Sequence, residues 1–224
     1  MMIKNSFCCF ALMLVSFTAN AKMVGFVTGD SFSNGPFDWP ALTEKVSMHT
    51  TAIAGQPLVD MAVTYEEQLD QHIADYDIDF TVIQGGTNDV NSGSISLDMM
   101  YEAVQTMIDI ADSRNIPVFV INIAPWTDTN QQWKKNHINF YNQWLEDTYK
   151  DTSVGVIDIY SLLEDPDSPT NILPVYDWDG LHVNALGYHL IADAVENAVI
   201  PVPPALLLFL SAIMAIRIMP RRSL

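Results

Sequence analysis

Cysteine is almost absent from this sequence. The two that occur, Cys8 and Cys9, stand next to each other within the first 21 residues. The chain that follows residue 21 therefore has no thiol. Disulfide bonds, a cysteine nucleophile and thiolate metal sites are excluded there.

Positive charge is also scarce, because 10 lysines and arginines stand against 27 aspartates and glutamates, for a net charge of −17. All 27 acidic residues fall within residues 22–200. Such a surface repels nucleic acid and anionic lipid head groups, so we predict no nucleic-acid partner. Solubility, including solubility in salty water, is enough to explain the acidic excess, and the excess does not indicate a substrate.

The N-terminal segment has the pattern of a secretory signal peptide. Lys4 precedes an apolar run over residues 7–15, and Ala19-Asn20-Ala21 gives the small-residue ending of a cleavage site before Lys22. A buried N-terminal helix is the alternative, but the segment has no polar face. We predict that residues 1–21 direct export and are removed. Both cysteines stand too early in the apolar run to be a lipoprotein cysteine.

The C-terminal residues 201–224 are predicted to be a sorting or anchoring tail. An uncharged run over residues 205–216 precedes a basic end with Arg217, Arg221 and Arg222. The run is shorter than the roughly 20 residues of a membrane span, but terminal arginines fit a tail whose end stays in the cytoplasm. With Ile200-Pro201-Val202-Pro203 before it, the tail resembles the PEP-CTERM sorting tails of Gram-negative bacteria. That resemblance implies processing by an exosortase at the cell envelope, and membrane contact through the tail only. A plain anchor is the alternative, since the glycines usual in such tails are missing.

Residues 22–200 suffice for one domain with a full core, and they alternate between two patterns. Apolar runs rich in β-branched residues predict strands over residues 23–27, 46–53, 80–83, 118–123 and 154–159. Helical windows lie between and after them, over residues 58–74, 96–114, 131–150 and 185–198. In the first helix, apolar residues recur at three- and four-residue steps and predict one buried face: Leu58, Met61, Ala62, Tyr65 and Leu69. The alternation predicts a three-layer α/β/α sandwich with a central, mainly parallel five-stranded sheet and a ligand site at the carboxyl ends of the strands.

Four short blocks carry the residue types that ester hydrolysis needs. They are Gly29-Asp30-Ser31, Gly55, Gly86-Thr87-Asn88-Asp89 and Asp179-Gly180-Leu181-His182. The first three follow predicted strands, so the carboxyl ends of a parallel sheet would bring them together. Each block alone is typical of an ordinary turn, but in this order and at these strand ends they predict one site.

The chemistry assigns a role to each block. A serine hydroxyl is a poor nucleophile until a neighbouring base takes its proton. Ser31 is the predicted nucleophile, His182 the base, and Asp179 the carboxylate that orients the imidazole. The backbone N–H groups of Ser31 and Gly55 and the side-chain amide of Asn88 are the predicted oxyanion donors. We expect glycine at position 55 because a side chain there would crowd the approaching oxygen. This chemistry needs no cofactor and no metal.

The same blocks resemble the SGNH/GDSL hydrolase family of serine esterases and lipases, which is named after its Ser, Gly, Asn and His. Ser31, Gly55, Asn88 and His182 match those four residues here, and residues 183–188 resemble the family's continuation into its last helix. The resemblance implies a flavodoxin-like fold and a metal-independent Ser-His-Asp mechanism. It also implies ester substrates such as short-chain acyl esters, acetylated sugars, lysophospholipids or thioesters. Phe32 stands where many members have leucine, which puts nothing catalytic in doubt.

Several other polar and aromatic residues have more than one interpretation. Asp177 and Asp179, with residues 165–167, form either a calcium loop or a set of solvated acids. Trp126 either lines the pocket or packs in the core. The sequence gives four further histidines no carboxylate partner or catalytic role: His49, His72, His137 and His189.

The sequence therefore predicts a secreted or surface-associated serine esterase that acts on acylated extracellular polysaccharide or on short-chain or lipid esters. Two other classes of protein stay open. One is a surface carbohydrate-binding module that has lost catalysis, although such a module would be expected to have lost at least one site residue. The other is an acyltransferase, which would use the same residues if water were excluded.

Overall fold

The structure is a computed structural model that describes residues 22–34, 38–127 and 131–201. The predicted signal peptide, and all of the predicted tail except Pro201, lie outside these residues. Within the three described stretches, no helix combines the length and the hydropathy that crossing a membrane requires.

A parallel sheet of five strands forms the centre of the fold. The strands are β1 (Val24–Thr28), β2 (Ser47–Thr50), β3 (Phe80–Gln84), β4 (Val118–Ile121) and β5 (Gly155–Ile157). They lie in the order β2-β1-β3-β4-β5, and each neighbouring pair is parallel. Parallel neighbours need crossover connections, which place helices over the faces of the sheet. The predicted α/β/α sandwich is confirmed.

Helices cover both faces of the sheet. In the described residues the helices are a 3-10 helix (Trp39–Leu42), α1 (Leu58–Tyr76), α2 (Thr87–Ser92), α3 (Leu97–Ser113), α4 (Gln132–Tyr149), α5 (Tyr160–Leu163) and α6 (Ala185–Val199). Helices α1, α3 and α4 contribute to one buried apolar cluster, and α6 and the 3-10 helix to the other. Leu58, Met61, Tyr65 and Leu69 of α1 are buried and Ala62 is half-buried against the same core, so the predicted apolar face of that helix is confirmed.

The second strand is shorter than the sequence predicts, because only Ser47–Thr50 belong to it. Residues 51–57 leave the sheet in a turn, and the N–H of Ile53 ties that turn to the carbonyl of Gly29 at 3.0 Å. Because β2 lies at the edge of the sheet, no described strand on its outer side holds these residues in an extended conformation. Gly55 therefore lies on a turn beside the end of β1, and does not directly follow a strand.

Helix α2 was outside the predicted pattern, since its six residues are too few to show a helical period. It begins directly after Gly86, which has a φ of +108°, a left-handed conformation that favours glycine. A Cβ atom at this position would also approach Ile123 Cδ1 to 2.6 Å. The turn at Gly86 thus lets the chain pass from β3 straight into the helix that carries Asn88.

Candidate active site

Three of the predicted blocks meet at the carboxyl-terminal edge of the sheet. Ser31 follows β1, Asn88 lies in the first turn of α2 after β3, and Gly55 lies on the turn after β2. Because β1 stands between β2 and β3, these three positions are neighbours. The loop before α6 adds Asp179 and His182 to them.

Two hydrogen bonds join Ser31, His182 and Asp179 in a line. Ser31 Oγ lies 2.9 Å from His182 Nε2, and His182 Nδ1 lies 2.9 Å from Asp179 Oδ2. With a neutral imidazole, Nδ1–H donates to the carboxylate and Nε2 accepts from the hydroxyl. In that tautomer Nε2 is free to take the hydroxyl proton, which is what a general base must do.

The Asp179 carboxylate is fixed by its own turn. Its Oδ1 accepts the backbone N–H of His182 at 2.7 Å and that of Leu181 at 3.0 Å. Burial pushes the pKa of Asp179 upward, but these two bonds and the His182 ring together hold the pKa below the ordinary value of an aspartate. Asp179 is therefore ionised at neutral pH, as the partner of an imidazole that gains a proton must be.

Gly55 adopts a backbone conformation that explains why glycine occupies this position. Its φ is +83°, in the left-handed region. Apart from its two chain neighbours, no described residue has an atom within 4 Å of a Cβ atom added at Gly55, so these residues leave room for a side chain. The conformation of the turn, which the sequence did not reveal, is the reason that the structure gives for glycine here.

The three predicted oxyanion donors differ in their present partners. The N–H groups of Ser31 and Gly55 donate to no acceptor within the described residues. Asn88 Nδ2 donates to Asp30 Oδ2 at 3.2 Å and to the carbonyl of Gln56 at 3.3 Å. Two acceptors around one nitrogen orient the Asn88 amide, so that Nδ2 faces both the nucleophile turn and the Gly55 turn.

A buried hydrogen-bond network behind Ser31 was not predicted from the sequence. Gln84 Oε1 accepts the N–H of Asp30 at 3.2 Å and the hydroxyl of Ser33 at 2.8 Å. Ser33 Oγ in turn accepts Trp39 Nε1–H at 2.9 Å. These bonds hold the turn that presents Ser31. The signal that could have found them is Gln84 itself, a polar residue that ends a buried strand.

Asp30 connects this network to the oxyanion side of the site. Its side chain is buried; Oδ1 accepts the N–H of Phe32 at 3.0 Å, and Oδ2 accepts from Asn88. Burial raises the pKa of Asp30 to about 6, although hydrogen bonds and the nearby His182 oppose the rise. The folded protein therefore keeps a proton on Asp30 between about pH 4 and pH 6, where an unfolded chain has lost it.

This raised pKa predicts a pH-dependent effect of Asp30→Asn on stability. The contribution of Asp30 to the free energy of unfolding falls as pH rises through the window, whereas asparagine is neutral throughout. Relative to the wild type, the free energy of unfolding of the variant should increase by up to about 3 kcal/mol between pH 4 and pH 7. Urea unfolding of both proteins at several pH values measures the difference. A difference that stays constant with pH would contradict the raised pKa.

The remaining histidines lie apart from the line of Ser31, His182 and Asp179. His49 stacks on Tyr76 with ring centroids 3.8 Å apart, and the His72 ring packs beside Phe26. His137 lies against Trp133 on α4, and His189 is exposed on α6. Among contacts between described residues, His182 is the only one of the five histidines with both a hydroxyl and a carboxylate on its ring nitrogens.

Trp126 and the acidic loop have structural partners. Trp126 is buried in the core, and Lys134 Nζ lies 4.7 Å from the centroid of its ring. Asp177 Oδ1 accepts the N–H of Gly180 at 2.7 Å, which stabilises the turn before His182. Within the part of the chain that the structure describes, no three acidic or histidine side chains are placed to hold a metal ion.

The sequence matches the profile of a family described as GDSL-like Lipase/Acylhydrolase over residues 27–190. That stretch covers most of the chain and contains every residue of the hydrogen-bonded cluster. The chain belongs to this family. Membership supports hydrolysis of ester bonds at the level of the family, and it leaves the individual substrate open. No curated protein matches the sequence.

Solved structures share the fold of this GDSL-family chain. A GDSL-like lipase from Bacteroides thetaiotaomicron is 20% identical, with a TM-score of 0.66 over 79% of this chain and 87% of that one. The acetyl xylan esterase AlAXEase is also 20% identical, with a TM-score of 0.65 over 80% of this chain and 100% of that one. An acetylxylan esterase from Geobacillus stearothermophilus is 13% identical, with a TM-score of 0.60 over 79% and 93%. At these identities the likeness concerns the fold alone.

Proposed function

We propose that this GDSL-family chain is an exported serine esterase that hydrolyses carboxylic esters through an acyl-enzyme intermediate. The observation that carries the proposal is the pair of 2.9 Å contacts linking Ser31, His182 and Asp179. Each of the three is held by the turn or loop that bears it. Gly55 and Asn88 lie beside them, so no residue type that the chemistry needs is missing.

The reaction begins when Ser31 Oγ attacks the ester carbonyl carbon and His182 Nε2 takes the hydroxyl proton. Asp179 stays ionised and stabilises the imidazolium. When the tetrahedral intermediate collapses, the bond to the alcohol oxygen breaks and His182 gives its proton to the departing alcohol. Water then attacks the acyl group on Ser31, with His182 again as the base. The carboxylic acid leaves and Ser31 regains its proton.

Negative charge on the carbonyl oxygen is met by the N–H groups of Ser31 and Gly55 and by Asn88 Nδ2. Each donor of this kind typically lowers the barrier by about 3–4 kcal/mol. The two N–H groups have no acceptor in the described residues, so they bind the oxyanion without giving up another hydrogen bond. Asn88 must share its amide hydrogens with Asp30 and Gln56, which makes its contribution depend on those neighbours.

We infer that the natural substrates are short acyl esters on extracellular polysaccharide. The net charge of −17 repels anionic lipid head groups, although the charge by itself does not indicate a substrate. The Asp179 and His182 side chains are 49% and 26% exposed, so bulky substrates and water can reach the base. Access for water favours hydrolysis over acyl transfer. The two fold neighbours named as acetyl xylan esterases support this choice of substrate.

We further propose that residues 1–21 direct export and that residues 201–224 sort the protein to the cell envelope. Mass spectrometry of the protein from its native cells tests both parts. An N-terminus at Lys22 supports export, and a retained Met1 would refute it. A C-terminus near Val202-Pro203 indicates cleavage by an exosortase, whereas an intact Leu224 on envelope-bound protein indicates a plain anchor. Unprocessed protein free of the envelope would refute the sorting role.

The activity itself is tested on the purified full-length protein with p-nitrophenyl esters from acetate to palmitate and with acetylated xylo-oligosaccharides. We expect turnover that is fastest on short acyl chains and survives EDTA. If the protein turned over no ester but still bound the oligosaccharide, it would be a carbohydrate-binding module and not an esterase. Strong inhibition by EDTA, reversed by calcium, would favour a metal site around Asp177 and Asp179.

A further inference from the structure

Trp178 is an exposed aromatic residue directly beside the site. It is 74% exposed, whereas Trp39 is fully buried and Trp126 nearly so. It immediately precedes Asp179, whose carboxylate holds the His182 ring. An indole offers a large apolar surface, and packing inside the domain does not account for its position here.

The backbone on either side of Trp178 is fixed against the residues around His182. Asp177 and Val183 form an antiparallel bridge. One hydrogen bond lies on each side of this bridge. The N–H of Trp178 donates to the carbonyl of His182 at 3.1 Å, and the N–H of Asn184 donates to the carbonyl of Tyr176 at 2.7 Å. Trp178 is therefore the residue directly opposite His182 in this pair of chain segments.

Opposite residues in an antiparallel pair lie with Cα atoms about 5.5 Å apart and project their side chains to the same side. That pairing places the backbone of Trp178 beside that of His182, the residue whose imidazole contacts Ser31. Val175 and Leu186 are also exposed, and Asn184 lies between them, with its Nδ2–H bonded to the Val175 carbonyl at 2.8 Å. The chain around His182 thus carries three exposed apolar side chains, Val175, Trp178 and Leu186, on backbone that hydrogen bonds hold in place.

We propose that Trp178 is a stacking platform that binds a sugar ring of a neutral, O-acylated polysaccharide next to Ser31. The inference rests on the proposed esterase function and adds a residue that binds its polysaccharide substrate. A pyranose ring has a face of C–H groups that covers an indole, while its hydroxyls stay in water at the edge. The acidic surface of the protein disfavours an acidic polymer or an anionic membrane as the occupant.

The test compares the full-length wild type with Trp178→Ala, Trp178→Phe and the control Phe140→Ala, which removes an exposed aromatic side chain from α4. Each protein is assayed on acetylated xylo-oligosaccharide and on p-nitrophenyl acetate, after its unfolding temperature is checked. We expect Trp178→Ala to lower kcat/KM for the oligosaccharide, relative to that for p-nitrophenyl acetate, by about tenfold, mainly through KM. Trp178→Phe should keep most of this preference, and Phe140→Ala should keep all of it.

Four kinds of result would overturn the platform. Equal losses of kcat/KM on both substrates would make Trp178 a support for Asp179, and unchanged kcat/KM on both would leave it without a role in binding. If Trp178→Ala alters only self-association, the indole contacts a second copy of the chain. If it alters only binding to phosphatidylcholine vesicles, the indole contacts a membrane. A wild type that cleaves p-nitrophenyl acetate but not the oligosaccharide would refute the platform alone. A wild type that cleaves neither ester would refute the proposed function itself.

Discussion

Replacing Ser31 by alanine is expected to lower kcat on every ester by at least about 10⁴-fold, while the domain stays folded. The Ser31 hydroxyl is the attacking group. Without that hydroxyl, the ester can be attacked only by a water molecule that His182 activates, and this reaction is much slower. The Ser31 side chain has His182 as its hydrogen-bond partner among the described residues, so little stability should be lost. Turnover of p-nitrophenyl acetate and thermal unfolding together measure the two effects.

Ser33→Ala is the matched control for Ser31→Ala, because both changes remove one hydroxyl from the same turn. Ser33 is buried and bridges Gln84 and Trp39, so its loss leaves the buried Trp39 Nε1–H without its partner, while Gln84 Oε1 keeps the N–H of Asp30. We expect about 1–3 kcal/mol of lost stability and a far smaller loss of kcat than for Ser31. Near-normal activity of Ser31→Ala on all esters would show that the nucleophile has been misassigned.

Asn88→Ala is expected to lower kcat by about 10²- to 10³-fold and to change KM little. The side-chain amide meets a charge that exists in the transition state and not in the bound ester, so its loss appears in kcat. Asn91→Ala, on the same short helix, is the control; it removes an exposed amide whose Oδ1 accepts from Lys134 Nζ at 2.8 Å, and it should leave kcat unchanged. Steady-state kinetics on one short-chain ester measure both variants. An effect confined to KM would move Asn88 from transition-state stabilisation to substrate binding.

The parts of the fold that could be predicted are those whose physics is local in the sequence. Strands covered on both faces are continuous apolar runs, which is why β3 and β4 were predicted within two residues at each end. The face of α1 follows from a periodicity that a helix imposes. The predicted second strand is too long, because residues 51–53 have a strand-like composition but lie beyond Thr50, the last residue of β2 that pairs with β1.

The candidate site was predictable as a set of residues, but its internal connections were not. Side chains at the carboxyl ends of neighbouring parallel strands must come close, so Ser31 and Asn88 could be placed together. The bond from Asn88 to Asp30 depends on the angle at which α2 leaves β3, and that angle is set by Gly86. The exposure of Trp178 likewise depends on the path of its loop, and a loop has no periodic sequence pattern from which that path could be predicted.

The most direct measurement of the central claim is covalent labelling by a fluorophosphonate, followed by mass-spectrometric mapping of the adduct. These reagents react with a serine hydroxyl that a neighbouring base has activated, so they report the chemistry without knowledge of the natural ester. The expected result is one adduct on Ser31 of the wild type, much slower labelling of His182→Ala, and none of Ser31→Ala. An adduct on Ser33 or another residue, or labelling of Ser31 that is as fast without His182, would contradict the account.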